Sequence, residues 1–125
     1  MNSPNAPAPV GPYNHSVAVN GVLYASGQIA LDPSTGQMVQ DDIEQETHQV
    51  MKNIKALLDN ASIGFEDIIK CSVFVSDMNN YGRINTVYAT YFDDTTAPAR
   101  ELVEVARLPK DANVEISIIA ALPNA

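Results

Sequence analysis

The chain has 125 residues, 46 % hydrophobic and 18 % charged, which fits one domain (1–125) around one core and excludes a disordered or fibrous protein. Seven Lys and Arg stand against fifteen Asp and Glu, a formal net charge of −8. That balance argues against nucleic-acid binding, which draws on cation–phosphate contacts, and is compatible with a small anion held by one or two arginines.

The longest apolar stretches are too short to span a bilayer, so no membrane partner is expected. The opening "MNSPNAPAPVGPY" has neither the basic region nor the apolar run of a signal peptide, and a cytoplasmic location is the expectation. Cys71 is the single cysteine, which rules out an intrachain disulfide and a cysteine-rich metal site.

Residues 1–12, rich in Pro, Asn and Ala, read as extended. In "HSVAVNGVLYASGQIAL" two β-rich runs flank Asn20-Gly21, the preferred pair for a type I′ turn, so a hairpin is predicted. "DPSTGQM" (32–38) is a loop. Over 42–61, Ile43, Thr47, Val50, Met51, Ile54, Leu57, Leu58 and Ala61 recur at 3-4-3 spacing, which predicts an amphipathic helix. Asp41 or Asp42 can cap it, and Gly64 stands just past its end.

"IIKCSVFVSDM" (68–78) reads as a strand. A second helix is predicted from Tyr81 to Asp93, with Ile84, Val87, Tyr88, Tyr91 and Phe92 buried. Two further strands, "RELVEVA" and "NVEISIIAAL", are joined by the turn-like "RLPKD". The order ββαβαββ gives an α+β class, with two helices over one face of a mostly antiparallel sheet.

A sheet with one face in water should alternate apolar and polar residues. The last strand does not. Val114, Ile116, Ile118, Ala120 and Leu122 form one face, while Glu115, Ser117, Ile119 and Ala121 form another that turns apolar. "VFV" at 73–75 is apolar on both faces. Two helices cover one face, so a homo-oligomer covering the other is expected, with a flanking loop as the alternative.

Several residues suit chemistry. Arg100 enters its strand directly after "TTAP", where a guanidinium can pair bidentately with a carboxylate, either of a ligand or of Glu104 or Glu115. Glu115, between Val114 and Ile116, lies at an exposed edge or in a cleft, where it could act as a general base. The Ser26-Gly27 pair inside a strand marks a bulge or a close backbone approach. Asn85 is a helix-surface amide or a ligand donor, and Tyr13 anchors the N-terminal segment or faces a site. His15 and His48 fit no catalytic or metal spacing, and Cys71 reads as a small core residue.

"GPY", "SGQI", "VFVSDM" and above all "PAR…VEVARLPKDANVEI" resemble the Rid (YjgF) family, specifically its reactive-imine deaminase A branch, over about residues 8–122. The resemblance implies a chorismate-mutase-like α+β fold and a homotrimer with three clefts between subunits. It implies hydrolysis of 2-imino acids such as 2-iminobutanoate and 2-iminopropanoate, and of their enamine tautomers, to 2-keto acids and ammonia, with neither cofactor nor metal. By the same resemblance Arg100 clamps the substrate carboxylate, Glu115 positions the water, and Tyr13, Ser26, Gly27 and Asn85 line the cleft.

One departure stands out. Many members of this branch read "PARSCVEVA", whereas this chain reads "PARELVEVA". Leu102 thus replaces a cysteine that lines the cleft, on the same strand face as Arg100. A non-catalytic module that binds 2-keto acids in that cleft is therefore the second reading. RNA cleavage, disfavoured by the acidic balance, is a third, and a holdase role a fourth.

Overall fold

The computed structural model describes residues 2–9, 11 and 13–123. Five strands form one mixed sheet in the order β1-β2-β5-β3-β4. These are β1 (Ser16–Val19), β2 (Val22–Gln28), β3 (Ile68–Val75), β4 (Ala99–Glu104) and β5 (Val114–Ala121). Helices α1 (Ile43–Asn60) and α2 (Tyr81–Tyr88) pack together on one face. The predicted α+β architecture is the observed one.

The hairpin turns at Asn20 and Gly21, both at positive φ (51° and 76°), as a type I′ turn requires. Val19 pairs with Val22 across it. Asp42 is the cap of α1: its Oδ1 accepts the Gln45 N–H at 2.7 Å. The helix does not end on Gly64. Ser62 takes the left-handed conformation (φ 58°) just beyond the C-cap Ala61, and Gly64 opens the following 3₁₀ turn. The second helix is also shorter than its pattern predicts. Its α-helical part stops at Tyr88, and residues 89–91 tighten into a 3₁₀ turn.

The strands β4 and β5, though joined by a short turn, are not neighbours. β3 lies between them, antiparallel to β5 and parallel to β4. A parallel pair needs a crossover, and α2 supplies it. The core holds Leu23, Met51, Ile54, Leu58, Ile84, Val73 and Ile116, all essentially solvent-free. Each side chain of this kind contributes about 1.5–3 kcal/mol of burial.

The opposite sheet face carries no helix. Val17 and Tyr24, paired across the hairpin, are each about half exposed, at 50 % and 49 %, and Val103 on β4 is 43 % exposed. Among the described residues, no helix is long and apolar enough to cross a membrane.

Candidate functional site

Strand pleat decides where the two candidate charges point. Arg100 pairs with Cys71, and Glu115 with Phe74. Along β3, Cys71, Val73 and Val75 are buried on the helix side, and Ser72 and Phe74 face the other way. Arg100 and Leu102 therefore lie on the helix face, and Glu115 on the bare face. They sit on opposite sides of one sheet, with β3 between their strands.

Arg100 is organised by α2. Its Nη1 donates to Asn85 Oδ1 at 2.8 Å and its Nη2 to the Tyr81 hydroxyl at 3.2 Å. The guanidinium lies 4.8 Å from the Tyr88 ring centroid and 5.7 Å from that of Tyr81. Residues 81, 85 and 88 share one helical stripe, which makes a cradle of one amide and two rings. None of the ion pairs among the described residues includes Arg100. The intramolecular salt bridge weighed from the sequence, with Glu104 or Glu115, does not form. Glu104 instead accepts the Met78 N–H at 2.8 Å, which pins the turn before α2 to β4. Met78, Tyr81 and Leu102 then flank Arg100 in an open, largely apolar groove.

Beneath Arg100 the Tyr88 hydroxyl is buried with no hydrogen-bond partner of ordinary geometry; the Cys71 thiol is its polar neighbour. Burial pushes both groups up from their usual pKa values. Cys71 is 0 % exposed, so it is a core residue.

Glu115 occupies a separate pocket with Tyr13, Gly27, Ile29, Pro109 and Lys110. The register slips by one residue between Ala25 and Gln28, so Ser26-Gly27 is a β-bulge. A Cβ on Gly27 would lie 2.7 Å from Glu115 Oε2, so the glycine makes room for the carboxylate. Both readings of the Ser-Gly pair, bulge and close approach, hold together. Half-buried Glu115 has no hydrogen-bond or ion-pair partner among the described residues, and burial pushes its carboxyl above the usual range. A carboxylate of this kind is a candidate general base.

Ser26 does not share this pocket's wall. Its N–H and its hydroxyl both go to the His15 carbonyl, at 2.8 and 3.1 Å. His15 is buried, with Nδ1 accepting the Ser3 N–H at 2.9 Å and Nε2 against the Pro7 carbonyl. It thereby straps residues 3–7 beside the pocket, a role no spacing rule reveals. His48 meets the Tyr91 hydroxyl at 2.8 Å and lines neither the Arg100 groove nor the Glu115 pocket. From the sequence Tyr88 is expected only as a buried residue of the second helix, and neither Tyr81 nor Lys110 stands out. The 81/85/88 stripe carried the signal for the two tyrosines; nothing local did so for Lys110. Among the described residues no group of three or more His, Cys, Asp or Glu is placed to hold a metal ion.

With this geometry in view, comparison places the chain among known proteins. The sequence profile of the family described as Endoribonuclease L-PSP matches residues 3–122, and the chain belongs to this family, that of the Rid/YjgF proteins. It is 49 % identical to a RutC family protein of Synechocystis, covering 98 % of this chain and 95 % of the relative. It is 41 % identical to the mouse 2-iminobutanoate/2-iminopropanoate deaminase, over 96 % and 88 % of the two chains. A Rid-family protein, YyfA of Yersinia pestis, superimposes with a TM-score of 0.92 at 48 % identity, covering 96 % and 95 %. E. coli TdcF with bound serine does so with a TM-score of 0.90 at 38 % identity, covering 97 % and 96 %.

Proposed function

We propose that the protein hydrolyses reactive 2-imino acids, such as 2-iminobutanoate and 2-iminopropanoate, to 2-keto acids and ammonia. The observation that carries this reading is Arg100: a guanidinium cradled by Asn85, Tyr81 and Tyr88, with no carboxylate of its own, in a chain 41 % identical to a protein named for this activity. Arg100 takes the substrate carboxylate as a two-point pair. Glu115 takes a proton from water as the oxygen adds to the electrophilic imine carbon. With the imine protonated on nitrogen, the carbinolamine then receives that proton on nitrogen from Glu115, the C–N bond breaks, and ammonia leaves as the carbonyl forms and its hydroxyl proton passes to the Glu115 carboxylate. Holding acid, water and imine together supplies much of the acceleration.

Because Arg100 and Glu115 lie on opposite sheet faces, the proposed site is composite. One protomer gives Arg100, Asn85 and Leu102; another gives Glu115, Tyr13 and Gly27. The half-exposed Val17–Tyr24 face supports association of copies, and a homotrimer closes the three sites.

A second reading, binding of small carboxylates without turnover, is favoured by Leu102 in place of the cleft cysteine, and by a structural relative that holds serine. RNA cleavage has less support. Four of the seven Lys and Arg are already paired with carboxylates, and the net charge is −8.

The test is a coupled assay. Threonine dehydratase generates 2-iminobutanoate, and semicarbazide traps what survives. The wild type is expected to lower semicarbazone formation, and Arg100→Ala to leave it high. A wild type without effect, but with a saturable site for 2-ketobutyrate by calorimetry, selects the binding reading instead.

A further inference from the structure

Glu46 is the most deeply buried carboxylate in the described chain, 1 % exposed on the inner face of α1, and the proposed reaction does not use it. An apolar residue would fill that place at lower cost, since a buried charge must be compensated by hydrogen bonds. Its compensation is concentrated on one residue. Oε2 accepts the Asn113 backbone N–H and Oε1 accepts Asn113 Nδ2, both at 2.8 Å. Asn113 then reaches the residue just after β3: its carbonyl accepts the Ser76 N–H and its Oδ1 the Ser76 hydroxyl, each at 3.2 Å.

The segment held in this way is strained. Lys110 and Asp111 are consecutive non-glycine residues at φ 54°, a left-handed conformation that costs roughly 1–2 kcal/mol per residue. Such strain persists only where the surroundings over-determine it. Gln40 adds a second tie, from its Nε2 to the Asp111 carbonyl at 3.1 Å and to Glu46 Oε2 at 3.5 Å. Pro109 and Lys110 form one rim of the Glu115 pocket, and Asn113 is two residues before Glu115.

We infer that Glu46 is a positioning residue: by fixing Asn113 and the strained 109–111 turn, it holds the start of β5 so that the Glu115 carboxylate rests against Gly27. Glu46 touches no substrate. Its two oxygens accept two donors of one residue, which an amide cannot do, because a glutamine would aim its own NH₂ at a donor.

The test compares Glu46→Gln with Val50→Ala, a cavity substitution one turn further along the same helix that removes no hydrogen bond to Asn113 and lies outside the pocket lining. The first readout needs no activity: titration of the Glu115 side-chain carboxyl by carbon NMR, with Tyr13, His15 and Lys110 as the titratable neighbours in its pocket. In Glu46→Gln the midpoint is expected to fall toward that of a solvated glutamate, because a loosened strand admits water. In Val50→Ala it stays at the wild-type value despite an equal or larger loss of melting temperature. The second readout rests on the imine-hydrolase reading: kcat falls about tenfold with KM within twofold. If the wild type does not turn over imines, that reading fails and the titration alone decides this one. Should Glu46→Gln not fold, the exposed Gln40→Ala and Asn113→Ala carry the test, each with a smaller shift in the same direction. An unmoved midpoint in the folded variants, or an equal shift in Val50→Ala, overturns the inference.

Discussion

Gly27 and Glu115 show how one missing side chain admits another. Gly27→Ala places a methyl 2.7 Å from Glu115 Oε2, so the carboxylate must move. A displacement near 1 Å at a reacting group costs roughly 100-fold in rate. Imine hydrolysis by Gly27→Ala is therefore expected to fall by about that factor in kcat, with circular dichroism unchanged. Burial raises the Glu115 carboxyl in the folded state above its unfolded value, so the folded form binds that proton more tightly. Its ionisation then costs stability, and that cost appears as pH rises through the folded pKa. Glu115→Gln should melt higher than wild type at neutral pH, with the gap closing in acid. An equal or lower melting temperature at neutral pH would count against a desolvated carboxylate. Arg100 and Glu115 were legible as candidates in "PAR" and "VEI", but their separation onto two sheet faces was not. The register that sets it depends on β3 inserting between β4 and β5, a non-local pairing that strand periodicity does not encode.

At the scale of elements, local chemistry was the readable part. Asn20-Gly21 announced its turn, and the 3-4-3 stripe announced α1. Asp42→Ala removes the cap that accepts the Gln45 N–H, and is expected to cost about 1 kcal/mol, read as a lower melting temperature with unchanged kcat. The element ends were less readable. Tyr91 and Phe92 keep the helical stripe of α2, yet they leave the α-helix to pack against Phe65, with centroids 5.4 and 5.7 Å away. Aromatic packing from a distant turn overrode the local period. Gly64 misled in the same way. The left-handed residue is Ser62, and Gly64 offers its N–H to Asp67 Oδ2 at 3.0 Å.

For the whole molecule, the doubly apolar β5 pointed to a covered second face, and the exposed Val17 and Tyr24 extend that face to the hairpin. Tyr24→Glu is expected to yield monomers in sedimentation and to lose hydrolysis, although Tyr24 lines neither charged pocket. The proposed composite site makes a stricter prediction. Arg100→Ala and Glu115→Gln are each expected to be inactive alone, and subunits mixed and reassembled to recover part of the wild-type rate, because some interfaces would then carry both intact residues. No recovery after proven exchange would place both groups in one protomer's site.

Cys71 offers a way to time the molecule. It is the single thiol, fully enclosed beneath Arg100 and Tyr88 between β4 and β5, and burial keeps it protonated. A disulfide reagent reaches it only when the sheet opens, so its rate of labelling measures the frequency of that opening rather than thiol reactivity. Followed against protein concentration, the same clock separates breathing within a subunit, which is independent of dilution, from opening that requires subunits to part.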